Sequence, residues 1–233
     1  ILKTTNGGLN WVTQNSGVPS KPLRDIQPID SNLVYCVGWF ETILKSTDGG
    51  SSWFAVRNGL DGVGKNYIGM YFINSNTGWI SGQGSYVLRT TNGGLSFDSS
   101  FVPAIFYDVY FKDNMNGLIS GQNGTLFKST NGGINWAQIN VLGETAEFFE
   151  LTFIIDTGWL IGTQTRKIYK TTNFGANWDS VGRITGTNSW LSSIFFSSLT
   201  TGWVCGDSGK IYKSTNGGIN WYQQVVPLTV GYG

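Results

Sequence analysis

Six copies of one eleven-residue pattern constrain this chain more than any other feature. ILKTTNGGLNW at 1–11 returns as ILKSTDGGSSW at 43–53, VLRTTNGGLSF at 87–97 and LFKSTNGGINW at 126–136. It appears again as IYKTTNFGANW at 168–178 and IYKSTNGGINW at 211–221. The closing aromatics Trp11, Trp53, Phe97, Trp136, Trp178 and Trp221 are spaced by 42, 44, 39, 42 and 43 residues. A repeat of this kind is one supersecondary unit that cannot bury its apolar face alone, so neighbouring copies must stack on it. The period suits a four-stranded blade better than a helical pair.

The segments between copies read as strands. Each complete unit opens with an apolar run such as IGMYFIN (68–74) or FFELTFIID (148–156). A second strand follows, as in GWISGQ (78–83), GLISGQ (117–122), GWLIGT (158–163) and GWVCGD (202–207). The ILK or IYK segment is a third strand, and a fourth starts near the closing aromatic. No stretch carries a helical period of useful length. The expectation is an all-β fold: a β-propeller of four-stranded antiparallel blades, with five complete blades and a half blade in this chain. The divisions are 1–16 for the half blade, then 17–58, 59–100, 101–142, 143–184 and 185–233 within a single domain or fragment. A completed ring would have six or seven blades.

The turn between third and fourth strands is predicted to be structural. Asn6, Asp48, Asn92, Asn131, Asn173 and Asn216 can accept amide hydrogen bonds within the turn. Gly8, Gly50, Gly94, Gly133, Gly175 and Gly218 fill the second glycine position every time, whereas Phe174 replaces the first. The second glycine is therefore expected to have the more demanding backbone, and the closing aromatic to fold over the turn.

Composition excludes several chemistries. The 233 residues contain no histidine, which rules out Ser-His-Asp and Cys-His catalysis and histidine-ligated metals. Cys36 and Cys205 are too few for a cysteine zinc site or a disulfide scaffold and read as two buried free thiols. No metal or cofactor is expected. A formal net charge of +1 gives no global field for nucleic acid, and no apolar run is long enough for membrane insertion as a helix.

Ser46, Thr47, Asp48, Gly49, Gly50, Ser51, Ser52 and Trp53 resemble the Asp-box (BNR) repeat, S-x-D-x-G-x-x-W, of sialidases, sortilin-type receptors and xyloglucanases. GWVCGDSGKIYKSTNGGINW at 202–221 is similar to the photosystem II stability/assembly-factor-like propellers, a pattern found also in secreted bacterial surface proteins. The resemblance covers essentially the whole chain. It implies a propeller in which the repeated turns are structural, and it leaves function open because this architecture serves many tasks. Family catalytic motifs cannot be placed: Arg24, Arg57, Arg89, Arg166 and Arg183 form no recognisable arginine triad, and Asp25, Asp108 and Glu150 read as ordinary strand-end acids.

Function is therefore expected on loops. Those joining fourth to first strands (about 14–23, 57–67, 98–105, 140–147 and 181–190) and second to third strands (about 38–42, 83–86, 122–125, 163–167 and 207–210) should share a face. The candidate partner-binding residues are Arg24, Trp39, Arg57, Tyr67, Tyr86, Arg166, Arg183 and Trp190, since arginine with aromatics is the composition of interaction hot spots. The repeated cations Lys3, Lys45, Arg89, Lys128, Lys170 and Lys213 read instead as strand positions whose stems cover aromatic surface.

The leading reading is a non-catalytic scaffold for a protein partner in a bacterial extracellular, cell-surface or periplasmic setting. The alternatives are a carbohydrate-binding or glycoside-hydrolase-type propeller and an assembly factor for a photosynthetic complex. Strand counting adds one expectation. The chain opens at the third strand of a blade, so an open edge should be covered by further chain or by a neighbouring subunit.

Overall fold

The computed structural model describes residues 1–59, 65–141 and 143–225. The fold is a β-propeller: the described residues form five four-stranded antiparallel sheets and one two-stranded sheet, each with sequential strands as neighbours. The two-stranded sheet joins β1 (Leu2–Lys3) and β2 (Val12–Thr13). The first full blade is β3 (Leu23–Pro28), β4 (Val34–Gly38), β5 (Thr42–Ser46) and β6 (Phe54–Arg57). The second is β7 (Tyr67–Phe72), β8 (Gly78–Gly82), β9 (Tyr86–Thr90) and β10 (Asp98–Phe101). The third is β11 (Phe106–Phe111), β12 (Gly117–Gly121), β13 (Thr125–Ser129) and β14 (Ala137–Asn140). The fourth is β15 (Phe148–Ile154), β16 (Thr157–Gly162), β17 (Lys167–Thr171) and β18 (Asp179–Arg183). The fifth is β19 (Leu191–Phe196), β20 (Gly202–Gly206), β21 (Ile211–Ser214) and β22 (Tyr222–Gln223). The chain forms two compact units, Ile1–Gly117 with Ser129–Trp136, and Leu118–Lys128 with the described residues from Ala137 onward.

Every copy of the signature turn is built by the same hydrogen bonds. The hydroxyl of Thr4, Ser46, Thr90, Ser129, Thr171 or Ser214 accepts the amide of the second glycine four residues on. The same hydroxyl donates to Oδ1 of the Asn or Asp. That Oδ1 also accepts the amide four residues further along. One carbonyl-type oxygen suffices, which explains why asparagine serves at five of six copies. The second atom of the group is spent locally: Asp48 Oδ2 accepts from the Ser52 hydroxyl, and Asn92 Nδ2 donates to the Ser96 hydroxyl. The hydrogen bonds from Ser52 hold the exposed Asp48 carboxyl far below the usual carboxylate range.

The closing tryptophan lies over the second glycine. Trp53, Trp136 and Trp221 donate Nε1–H to the carbonyls of Gly50, Gly133 and Gly218. Both glycine positions have positive φ: 72° at Gly132 and 83° at Gly133. The expected contrast between them is therefore weaker than the sequence implies. Phe174 occupies the first position at φ 49°, within the left-handed well that a non-glycine residue can enter. The first-position amide is held from across the blade, Gly49 by Asn32 O and Gly93 by Asn76 O.

Neighbouring blades interlock through the second strand. Tyr35 on β4 stacks on Phe72 at 4.1 Å, Trp79 on β8 stacks on Phe111 at 3.4 Å, and Trp159 on β16 stacks on Phe196 at 3.8 Å. The polar tip of each aromatic reaches the carbonyl of the first turn glycine in the following blade: Tyr35 OH to Gly93 O, Trp79 Nε1 to Gly132 O, and Trp159 Nε1 to Gly217 O. The repeated cations join the same junction. Lys45 Nζ donates to Gly93 O and Lys128 Nζ to Phe174 O, while Lys45 and Lys170 sit 5.2 and 5.1 Å from the ring centres of Tyr35 and Trp159. The lysine series is thus part of the interlock, not a polyanion-binding ring.

The two cysteines differ. Burial pushes the Cys36 thiol up to about 12, but Cys205 is exposed, correcting the expectation of two buried thiols. Its strand β20 is only partly covered, whereas β4, β8 and β12 are buried throughout.

Gly8 and Gly133 separate backbone strain from packing. Their φ values are 89° and 83°, yet a Cβ on Gly8 meets nothing nearer than 3.8 Å, while one on Gly133 meets Trp79 Nε1 at 2.9 Å. Gly8→Ala should cost about 1 kcal/mol, and Gly133→Ala at least about 1 kcal/mol more. Urea denaturation measures both, and equal midpoints would refute the packing role.

Candidate partner-binding face

The loops at the blade end opposite the signature turns are bonded to one another within each unit. In the first unit, Trp39 N donates to Pro22 O, Glu41 N to Lys65 O and Gln83 N to Asn66 O. In the second, Thr163 N donates to Glu147 O and Asp207 N to Trp190 O. Both loop sets named from the sequence therefore meet, as a shared face requires.

In the second unit these loops border an open cavity of about 570 Å³ lined by Arg166, Arg183, Ile184, Thr185, Gly186, Thr187, Asn188 and Lys210. Three cations border it and no carboxylate does. Arg166 comes from the turn between β16 and β17, Arg183 from the end of β18, and Lys210 from the turn before β21. Lys210 Nζ donates to the Thr187 hydroxyl at 3.0 Å, which fixes one cation against the loop. Arg166 Nε is buried and has no hydrogen-bond partner. Three cations with no carboxylate among the lining residues suit an incoming oxyanion or carbonyl oxygen.

The backbone under Arg166 is set by a glutamate that sequence reading left among mixed loop charges. Glu144 is 7% exposed, and its carboxylate accepts four hydrogen bonds. Oε1 takes the amides of Thr145 and Ala146, and Oε2 takes the hydroxyls of Thr165 at 2.6 Å and Tyr169 at 2.7 Å. Burial alone would raise the pKa of this group, but the hydrogen bonds from Thr165, Ala146, Tyr169 and Thr145 outweigh it and keep the carboxyl below its ordinary value. Thr165 immediately precedes Arg166, whose φ of 58° is left-handed and whose amide donates to Gly162 O at 2.6 Å. The clamp therefore positions the arginine without touching the cavity.

The other candidates are distributed differently. In the first unit, Arg57 Nε and Nη2 both bond Glu41 Oε2, at 3.0 and 2.6 Å, so its charge is matched locally. Arg24 is exposed and lines a separate 570 Å³ groove with Val18, Lys21 and Ile26. Trp39 lies at the surface, edge-on to Phe40. Tyr86 packs edge-on against Phe101 and carries Lys65 Nζ 3.5 Å from its ring centre. Trp190 is 53% exposed beside the Asp207 turn. Tyr67 offers no contact surface: it is 4% exposed because the first residue of β7 points into the blade core, and burial raises its hydroxyl to about 12. Of the eight, Arg166 and Arg183 alone line the cation cavity.

The carboxylates weighed for glycosidase chemistry are engaged in the framework. Asp25 Oδ2 accepts the Met70 amide and Glu150 Oε2 the Ile194 amide, both at 2.8 Å, linking first strands of adjacent blades. Asp108 Oδ1 accepts the amide of Val109. Among the described residues, no group of three or more acidic or cysteine side chains could hold a metal ion, and no helix is long and apolar enough to cross a membrane.

Comparison with known proteins places this geometry. The family profile described as Photosynthesis system II assembly factor YCF48 matches residues 3–100 and again 99–231. No curated protein matches the chain. Among solved structures, YCF48 bound to D1 peptide is 20% identical with a TM-score of 0.71, over 90% of this chain and 70% of that one. YCF48 from Cyanidioschyzon merolae is 16% identical with a TM-score of 0.60, over 93% and 88% of the two chains. An ancestral GH74 enzyme is 20% identical with a TM-score of 0.72, but this chain covers only 32% of it. At these identities the structural likeness concerns the fold.

The Glu144 clamp predicts a pH dependence. Its folded pKa lies below the ordinary 4.5, so its stabilisation is complete above that value and is lost as pH falls through the lower folded value. Glu144→Gln should cost about 1–3 kcal/mol at neutral pH through weakened acceptors and should flatten the acid limb of the stability profile. Chemical denaturation between neutral and acid pH tests this; parallel profiles for the two proteins would refute the clamp.

Proposed function

Because this chain belongs to the family of Photosynthesis system II assembly factor YCF48, we propose that it is a non-catalytic propeller that captures a peptide segment of a partner protein on its loop face. The observation that carries this reading is the acid-free cavity of Arg166, Arg183 and Lys210. Guanidinium forks recognise carboxylates and main-chain oxygens through directed donors, and a cavity on rigid blade ends keeps those donors in place before the partner arrives. A solved member of the same family holds a D1 peptide, which supports a peptide as the class of ligand. The partner belongs to an assembling protein complex, of which a photosynthetic one is the type that the family description names. An extracytoplasmic or bacterial surface setting remains part of the proposal.

The non-catalytic reading rests on chemistry. Histidine is absent from the sequence, and Asp25 and Glu150 are bonded to main-chain amides of neighbouring strands. A glycosidase needs one carboxyl group free to donate a proton and a second facing it across the bond to be broken. The likeness to GH74 enzymes is one of fold.

Peptide-array capture followed by calorimetry of the best binder tests the proposal. Combined Arg166→Ala and Arg183→Ala should weaken binding at least about tenfold, since each lost charge-assisted hydrogen bond costs about 1.5–3 kcal/mol. Arg57→Ala, which loses a cation already paired with Glu41, should leave affinity within about twofold. Equal affinity for the double variant and the native protein would overturn the assignment of this face.

A further inference from the structure

The fourth and fifth blades differ at one position beside the cation cavity. Phe148 and Leu191 open their first strands in the same register, opposite Gly162 and Gly206. Tyr169 and Tyr212 likewise share a register on the third strands, opposite Leu160 and Val204. Glu144 and Thr187 stand equally far before those first strands and therefore correspond. Both side chains are taken into the fold, at 7% and 8% exposure. Each accepts the amide two residues on, Ala146 N at Glu144 Oε1 and Ser189 N at Thr187 Oγ1. The two loops are thus folded alike.

What differs is reach and charge. Glu144 presents a carboxylate that receives the hydroxyls of Thr165 and Tyr169. Thr187 is shorter and neutral, and its hydroxyl oxygen receives Lys210 Nζ instead. Tyr212 is buried like Tyr169, but its hydroxyl has no hydrogen-bond partner among the described residues. The fifth blade therefore keeps the donor of the pair and lacks the acid. Tyr212 sits in the apolar cluster between these two complete blades, with Ile161, Ile168 and Ile184, so the difference is internal to the fold. Thr187 also lines the cavity of Arg166, Arg183 and Lys210, where no lining residue offsets the three positive charges.

Building on this cavity as the peptide-binding site, we propose that Thr187 makes it a carboxylate site: the acid that the fourth blade supplies as Glu144 is supplied to the fifth by the captured peptide. Lys210 keeps N–H donors beyond the one given to Thr187, and Arg183 brings a guanidinium fork from the end of β18. Such donors hold a carboxylate through charge-assisted bonds. A neutral main-chain oxygen would leave the like charges unbalanced. The Tyr212 hydroxyl stays out of the ligand's reach and marks only where the repeat places an acid. The carboxylate is an aspartate or glutamate side chain or the C-terminus of the peptide, two sources of one chemistry.

Three immobilised libraries of short peptides, randomised over neutral residues, are the probes. One has a free C-terminus, one an amidated C-terminus, and one an amidated C-terminus with a single internal glutamate. The first or the third should capture the intact protein and the second should not, and the successful library names the source of the carboxylate. With the best binder, Thr187→Glu should weaken affinity about tenfold more than Thr187→Gln, because only glutamate brings a competing charge. Thr187→Glu should also raise the melting temperature by giving the Tyr212 hydroxyl its acceptor. Equal capture by the neutral amidated library, lost in the combined Arg166→Ala and Arg183→Ala protein, would overturn the carboxylate and leave the peptide site standing. Capture by none of the three would overturn both. Equal weakening by glutamate and glutamine, or a lower melting temperature for Thr187→Glu, would overturn the role of Thr187.

Discussion

The carbonyl of the first turn residue is the point on which this architecture depends. In a blade considered alone it would be an unsatisfied acceptor at a tight left-handed turn. In the stack it receives a tyrosine hydroxyl or tryptophan N–H from the preceding second strand and, at Gly93, a lysine ammonium as well. The bond to the ammonium is charge-assisted and worth about 1.5–3 kcal/mol, against about 0.5–1.5 for a neutral one. The ring that delivers each donor is stacked on a phenylalanine, so one side chain satisfies the turn and fills the gap between sheets. Cohesion between blades is thus repeated locally and needs no single central core.

That arrangement leaves the other end of each blade free to vary. The turn before the third strand uses a left-handed residue whatever its chemistry: Glu41 at φ 56°, Ser85 at 61° and Arg166 at 58°. In the first blade this residue is an acid that neutralises Arg57, and in the fourth it is a second cation near Arg183. The same backbone step therefore yields an inert ion pair in one blade and a charged cavity in another. The difference lies in side chains that the scaffold does not need, and the Glu144 clamp beneath Arg166 adds the rigidity that a binding geometry requires.

Strand order and turn placement were legible because repetition samples the same structural problem six times. The substitution of Phe174 for glycine pointed toward the second glycine, but one replacement could not show that the first position is left-handed too. The lysine series was readable for a similar reason: a charge that recurs at a fixed place in the repeat serves the repeat. The cation cavity was legible only in part. Arg166 and Arg183 were among eight candidates, but their convergence with Lys210 depends on three loops separated by many residues. Glu144 carried no signal at all, since nothing in the sequence says which loop acid points inward. Tyr67 failed for the opposite reason, an aromatic at a strand start being equally suited to core and surface.

Burial in a stacked fold is a property of the neighbour as much as of the residue. Ile26 and Met70 have the same chemistry, strand and register, yet one is half exposed and the other is buried. Cys205 and Cys36 show the same contrast on second strands. A repeat therefore carries two kinds of information. Its hydrogen-bonded turn is self-contained and forms in the half blade as in the others, as the Thr4, Asn6 and Gly8 bonds show. Its sheet faces are complementary surfaces whose burial is set by the neighbouring blade, as the buried Met70 beside Asp25 of the preceding first strand shows.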